Sequence, residues 1–251
     1  MLSSRELYLR QVQLTAPLTS SSYLNHIPAV RHLMHQPLAF TQPVTFLVGE
    51  NGAGKSTLIE GIAAACGFNP EGGTRNLRFS THTTHSELWN HLTLVRSPHQ
   101  PRDGFFLRAE SFYNVATSID QLDAEYGFGP PLIDRYGGVS LHEQSHGESF
   151  LALVHNRFEG NGPYILDEPE AALSPMRLMA LIAEIDRLVQ SNSQLIIATH
   201  SPMLMTYPNA QILLIDETGI HPTDWRDTPH VQITRRFLEN PSRMLHELLD
   251  D

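Results

Sequence analysis

Cysteine is nearly absent: Cys66 stands alone, which excludes a disulfide framework or a cysteine-based zinc site. Because it follows an apolar helical run, it reads as a buried thiol in a reducing compartment. No apolar run approaches the ~18 residues of a membrane span, and the opening Met-Leu-Ser-Ser-Arg-Glu lacks the basic-then-apolar pattern of a signal peptide. A cytoplasmic protein without direct membrane insertion is therefore expected. Positive charge is scarce as well. With 17 Lys plus Arg against 27 Asp plus Glu, the formal charge is -10, and such a surface repels phosphate backbones unless its cations gather on one face. Sustained heptads are missing, so long coiled-coil arms are excluded. The 251 residues, 41% of them hydrophobic, suffice for one globular unit.

Against these absences stands the stretch 49–57, Gly-Glu-Asn-Gly-Ala-Gly-Lys-Ser-Thr. It fits Gly-x-x-x-x-Gly-Lys-[Ser/Thr] and lies between a β-type run (44–48) and a helical run (58–63), the context a phosphate-binding P-loop needs. Residues lacking Cβ let bare backbone N–H groups close on a polyphosphate. Gly49, Asn51, Gly52, Ala53, Gly54, Lys55, Ser56 and Thr57 thus form the candidate nucleotide-binding loop. Lys55 is assigned to the β- and γ-phosphates and Ser56 to Mg²⁺, with the positive end of the following helix aimed at the anion.

Alternation over 7–14 predicts a half-buried strand, 15–30 a loop, and 38–40 with 44–48 a hairpin-like pair. Residues 67–103 look like an insertion with a short helix at 86–94. They concentrate Arg75, Arg78, Arg96 and Arg102, while His82 and His85 read as solvated side chains because no third ligand accompanies them. A buried strand at 104–107 ends in Arg108-Ala109-Glu110, and 118–125 is helical. After a Gly/Pro-rich break, Ser145-His146-Gly147-Glu148 leads into an apolar helix, with the serine as N-cap. Residues 163–168 form an apolar strand ending in Asp167 and Glu168, one acid for the Mg²⁺ shell and the next to polarise water. An amphipathic crossover helix at 176–189 counts Met176, Met179, Ile182 and Ile185 in its apolar stripe, which Leu178, Leu181, Leu188 and Val189 widen. A buried strand at 194–200 brings His200 to the carboxyl edge of the sheet. One more strand (212–215) and two short helices (232–238, 241–249) complete the chain.

In this order the motifs resemble those of the ABC-type ATPases, within them the soluble RecF/SMC-like branch of small bacterial ATPases. Residues 49–57 match the Walker A loop, 145–148 the signature in its Ser-x-Gly-Glu form, and 165–168 Walker B with the catalytic glutamate. Residues 169–175 resemble the D-loop region, and Thr199-His200-Ser201 the switch histidine. Departures are Glu110 near the family's Mg²⁺-sensing glutamine, Ser174 at the D-loop aspartate, and His146 at the usual first glycine of the signature. Glu148, where transporter subunits carry glutamine, favours the RecF/SMC side.

The resemblance implies an α/β P-loop NTPase with ABC-ATPase architecture: a mixed sheet flanked by helices, in a single domain (1–251) with an insertion at 67–103 and a helical signature subdomain at 111–160. It implies ATP and Mg²⁺ as ligands, with Ser56, Asp167 and Glu110 as metal-side residues and Glu168 and His200 as catalytic ones. It further implies a homodimer closing on ATP, with Ser145, His146, Gly147 and Glu148 acting in trans. An unknown protein partner is expected, and any nucleic-acid binding should be weak and ATP-dependent. DNA maintenance or phage defence is the output it offers. The alternatives are an ATP-binding subunit of a membrane transporter and a nucleotide-binding regulator that barely hydrolyses ATP.

Overall fold

The computed structural model of the chain describes residues 2–74, 86–125 and 131–249. In chain order the elements are β1 (Leu9–Leu14), α1 (Pro28–His35), β2 (Leu38–Ala39), β3 (Val44–Gly49), α2 (Lys55–Ala65), β4 (Leu92–Arg96), β5 (Phe105–Arg108), α3 (Phe112–Glu125) and α4 (His146–Arg157). They continue with β6 (Pro163–Asp167), α5 (Pro175–Gln190), β7 (Gln194–Ala198), α6 (Pro202–Met205), β8 (Gln211–Asp216), β9 (Gly219–Thr223), α7 (Pro229–Glu239) and α8 (Pro241–Leu249).

A six-stranded sheet in the order β5-β6-β7-β3-β8-β9 forms the centre. Its strands are parallel apart from β9, which returns antiparallel along β8. Strands β3, β6 and β7 are buried at every residue, which accounts for their largely apolar runs: a parallel strand covered on both faces has no polar side to show. Alternate residues feed two cores. Phe46, Tyr164, Leu166, Leu195 and Ile197 pack towards α3, α4 and α5. Leu47, Ile165, Ile196 and Ala198 pack towards α2, α1 and a small sheet in the order β2-β1-β4. The sheet is therefore the middle of three layers, the mixed α/β arrangement the motifs imply.

Several local expectations need correction. Residues 28–30, the end of the expected loop 15–30, instead open α1, because Pro28 takes the first helical position, where a missing N–H costs nothing. The pair 38–40 and 44–48 is not a hairpin: β2 pairs with β1, and β3 lies in the other sheet. The helix expected at 86–94 is a short 3₁₀ turn (Glu87–His91) followed by β4, which pairs antiparallel with β1. β-Branched Thr93 and Val95 suit the strand. The stripe of α5 is narrower than expected. Leu178, Leu181, Ile185, Leu188 and Val189 are its buried residues, while Met176 is 75% and Met179 57% exposed. Arg75, Arg78, His82 and His85 lie outside the described residues, so only Arg96 and Arg102 of the four arginines are placed. Arg96 donates to the Ala65 carbonyl at 3.0 Å, at the C-terminal end of α2. Among the described residues no helix is long and apolar enough to cross a membrane.

Candidate functional site

Strand order builds the site. β6, β7 and β3 are neighbours, so Asp167, the turn after Ala198 and the loop after Gly49 emerge side by side at one edge of the sheet. β5 lies outside β6 with Arg108 in register with Asp167.

The loop after β3 enters α2 through Gly54, whose φ of 95° lies in the left-handed region and whose missing side chain would collide with Ile27 of the segment before α1. Only glycine satisfies both demands. Lys55 is the single lysine of the chain. It is 4% exposed, and its Nζ donates to the carbonyls of Gly49 (2.7 Å) and Glu50 (3.2 Å). Burial lowers its pKa, with the Glu168 and Asp167 carboxylates pulling the other way. The Ser56 hydroxyl donates to Asp167 Oδ1 at 3.3 Å, which brings the two expected metal-side oxygens together across α2 and β6.

Asp167 is 3% exposed, and burial raises its pKa to about 7 despite the opposing charge of Arg108. That guanidinium bridges three carboxylates: Nε is 3.2 Å from Asp167 Oδ2, Nη1 2.9 Å from Glu60 Oε2 and Nη2 3.6 Å from Glu110 Oε2. The Nε approach is an ion pair without hydrogen-bond geometry. Glu110 itself is 79% exposed and borders the site through Arg108.

Glu168 adopts φ 49° and ψ 52°, unusual for a side-chain-bearing residue. Its N–H, bonded to the Ala198 carbonyl at 3.0 Å, holds it there. The turn brings Glu168 Oε1 within 3.4 Å of His200 Nε2. The backbone N–H of His200 donates to Glu170 Oε1 at 2.5 Å, and His200 Nδ1 lies 2.9 Å from Nε2 of His230 on α7. Burial lowers the pKa of both histidines and raises that of Glu170.

The signature residues sit apart, at the start of α4. Glu148 accepts from the Ser145 N–H (3.2 Å) and hydroxyl (2.5 Å), and Arg177 of α5 pairs with Glu148 at 2.9 Å. The hydrogen bonds from Ser145 hold the Glu148 pKa below its usual range. A Cβ on Gly147 would stand 2.8 Å from both the Ala172 carbonyl and Arg177 Nη1, so the close approach of α4 to the segment before α5 demands glycine. His146 stacks on Phe112 with ring centroids 5.4 Å apart.

Lys55, Ser56, Asp167, Glu168 and His200 thus converge, Glu110 borders them, and the signature stands separately. Sequence reasoning named Arg108 only as part of the polar end of a buried strand, and passed over Glu170 and His230. Arg108 had a signal in its position at the end of a buried strand, and Glu170 in the acidic cluster around Pro169. His230 had none, because only the packing of α7 brings it to His200.

The AAA domain family matches residues 26–103 of the chain. The ribose import ATP-binding protein RbsA 1 of Rhizobium meliloti (strain 1021) is 29% identical over 194 residues, 69% of this chain. The chain spans 37% of the length of that relative. Among solved structures, cbiO1 of Clostridium perfringens, part of the ABC transporter complex cbiONQ, aligns at a TM-score of 0.51 with 16% identity, over 97% of this chain and 99% of its own. A metal-chelate type ABC transporter in an inward-facing conformation gives the same TM-score at 14% identity, over 90% of this chain and 88% of its own. Likenesses this distant establish the fold, and the family match falls on the P-loop itself. The chain is therefore similar to ABC ATP-binding proteins in fold, with the AAA domain match covering its P-loop.

Proposed function

We propose that this chain is an ATP-hydrolysing switch of the soluble RecF/SMC-like branch, working as a homodimer that closes head to tail around two ATP molecules. The observation that carries this reading is the placement of Glu168, one residue beyond the buried Asp167 and 3.4 Å from His200, at the sheet edge that also presents Lys55. The donor set fits its ligands. A glycine-lined loop precedes a helix N-terminus, and Ser56 and Asp167 present oxygens of the kind Mg²⁺ prefers.

In this reading Lys55 neutralises phosphate charge and Ser56 and Asp167 hold the metal. Glu168 takes a proton from the attacking water, and His200 donates from Nε2 towards the γ-phosphate oxygens. Bound Mg²⁺ supplies charge neutralisation to the phosphates. Ser145, His146, Gly147 and Glu148 cap the γ-phosphate of the opposite subunit through the N-terminus of α4. Residues 67–103 and 111–160 serve as an insertion and a signature subdomain within the single domain. DNA maintenance or phage defence is the output the branch suggests.

Mixing two inactive variants tests the dimer. Ser145→Arg and Lys55→Ala should each abolish hydrolysis, while their mixture contains one intact composite site and recovers activity. Heterodimers that form yet stay inactive would count against composite sites. The names of the matched proteins favour a second reading, an ATP-binding subunit of a transporter. Recovery of the protein in washed membranes, without a dimer when Glu168→Gln meets ATP and Mg²⁺, would decide for it.

A further inference from the structure

His200 ends β7's turn at the site, but its other ring nitrogen is occupied by a residue from the far end of the chain. His200 Nδ1 and His230 Nε2 are 2.9 Å apart, with ring centroids at 5.0 Å and planes at 64°. At that separation one nitrogen must carry the proton and the other the lone pair. The remaining nitrogen of His200, Nε2, is buried without a hydrogen-bond partner among the described residues and has Glu168 Oε1 as its neighbour at 3.4 Å. A lone pair on Nε2 would face the lone pairs of that oxygen, whereas an N–H there would not, so the arrangement favours a hydrogen on Nε2. In a neutral ring Nδ1 is then the acceptor, and the shared proton belongs to His230 Nε2. The reverse arrangement would aim the lone pair of His200 at both a carboxylate and phosphate oxygens. Burial, the first cause of the lowered pKa of each ring, keeps the pair neutral near pH 7, where Lys55, Glu50, Glu168 and Glu170 are the charges acting on it.

His230 is held in place independently of His200. It is the second residue of α7, whose start is fixed by buried Val231 and by Thr228, the latter donating to the Trp225 carbonyl at 2.7 Å. Beyond that first turn α7 becomes exposed, with Ile233 and Leu238 facing outward.

We propose that His230 is a positioning residue for His200: its Nε2–H fixes His200 as the Nε2–H tautomer and orients that donor towards the γ-phosphate, tying the start of α7 to the nucleotide site. The inference rests on the proposed role of His200. A ring held through its far nitrogen keeps one tautomer and one plane, as second partners do for histidines that bind metals.

Two measurements on the full chain test it. Long-range proton–nitrogen NMR of the imidazoles, assigned with His200→Ala and His230→Ala, should show His200 protonated at Nε2 with Nδ1 as a hydrogen-bond acceptor. His230→Ala should remove that acceptor signature. In turnover assays His230→Ala should lower kcat about tenfold, the rate equivalent of one hydrogen bond, with KM for ATP unchanged. His230→Gln, whose amide N–H restores a donor, should recover most of the loss. A His200 ring protonated at Nδ1 would overturn the inference. So would an inactive His200→Ala beside a fully active His230→Ala, and in that case the assigned role of His200 survives. A fully active His200→Ala removes that role and the inference with it. Where turnover is too slow to measure, the tautomer alone decides.

Discussion

Arg108 Nε stands 3.2 Å from Oδ2 of Asp167, directly across the β5–β6 pair. The guanidinium also reaches Glu60 on α2 and Glu110 beyond β5, so one cation joins three elements around the Asp167 carboxylate. Removing one partner of such a buried cluster leaves uncompensated charge. Arg108→Ala should lower the unfolding free energy by about 3 kcal/mol, read from urea titration. Arg108→Lys should recover less than half, because an ammonium lacks the planar fork that spans separate carboxylates. A loss below about 0.5 kcal/mol would reduce the cluster to an ordinary surface ion pair.

As the single lysine, buried and with a lowered pKa, Lys55 offers a direct reading of phosphate contact. A limiting amine-reactive probe should modify one lysine, located by mass spectrometry, and ATP should suppress that modification. Lys55→Ala should weaken ATP binding by about 1.5 to 3 kcal/mol, roughly ten- to hundredfold, in calorimetry. Unchanged affinity in a folded variant would remove the P-loop assignment.

Gly147 separates packing from chemistry in the signature. Gly147→Ala forces a methyl group against the Ala172 carbonyl and Arg177 at 2.8 Å. We expect a cost of about 1 to 3 kcal/mol in stability together with lost turnover, while ATP affinity of the isolated subunit is unchanged. Melting curves and ATP titration check the two halves, and an unperturbed melting curve would mean that α4 shifts freely.

The pH dependence of stability has a histidine component with a definite sign. Nδ1 of His32 accepts from the Ile220 N–H at 3.0 Å, and burial lowers its pKa below the usual value. Above about 6.5, the unperturbed histidine value, the ring is neutral in both folded and unfolded chains. As pH falls from there the unfolded chain takes its proton first, so the folded state loses stability until pH passes the folded pKa. His32→Asn, whose side-chain oxygen also accepts, should lose less stability than the wild type between pH 7 and pH 5 in chemical denaturation. An equal loss in both proteins would show that His32 does not titrate on unfolding.

What the sequence determined by itself is the local arrangement that depends on short spacing. The P-loop is legible because its glycines, Lys55 and Ser56 lie within one turn and one helix start, and Walker B because an apolar run must end where Asp167 and Glu168 begin. The buried strands β3, β6 and β7 show as largely apolar runs for the same local reason. Tertiary structure alone decided what distant segments share. Nothing near residue 38 says that β2 will pair with β1 rather than β3, and nothing in α5 says that Met176 faces outward, since side-chain spacing does not fix how much of a wide apolar stripe is covered. The Arg108 bridge requires β5 to settle beside β6. The His200–His230 pair requires the start of α7 to fold back over the end of β7, a contact between residues 30 apart that only the packing of α7 against the core can make.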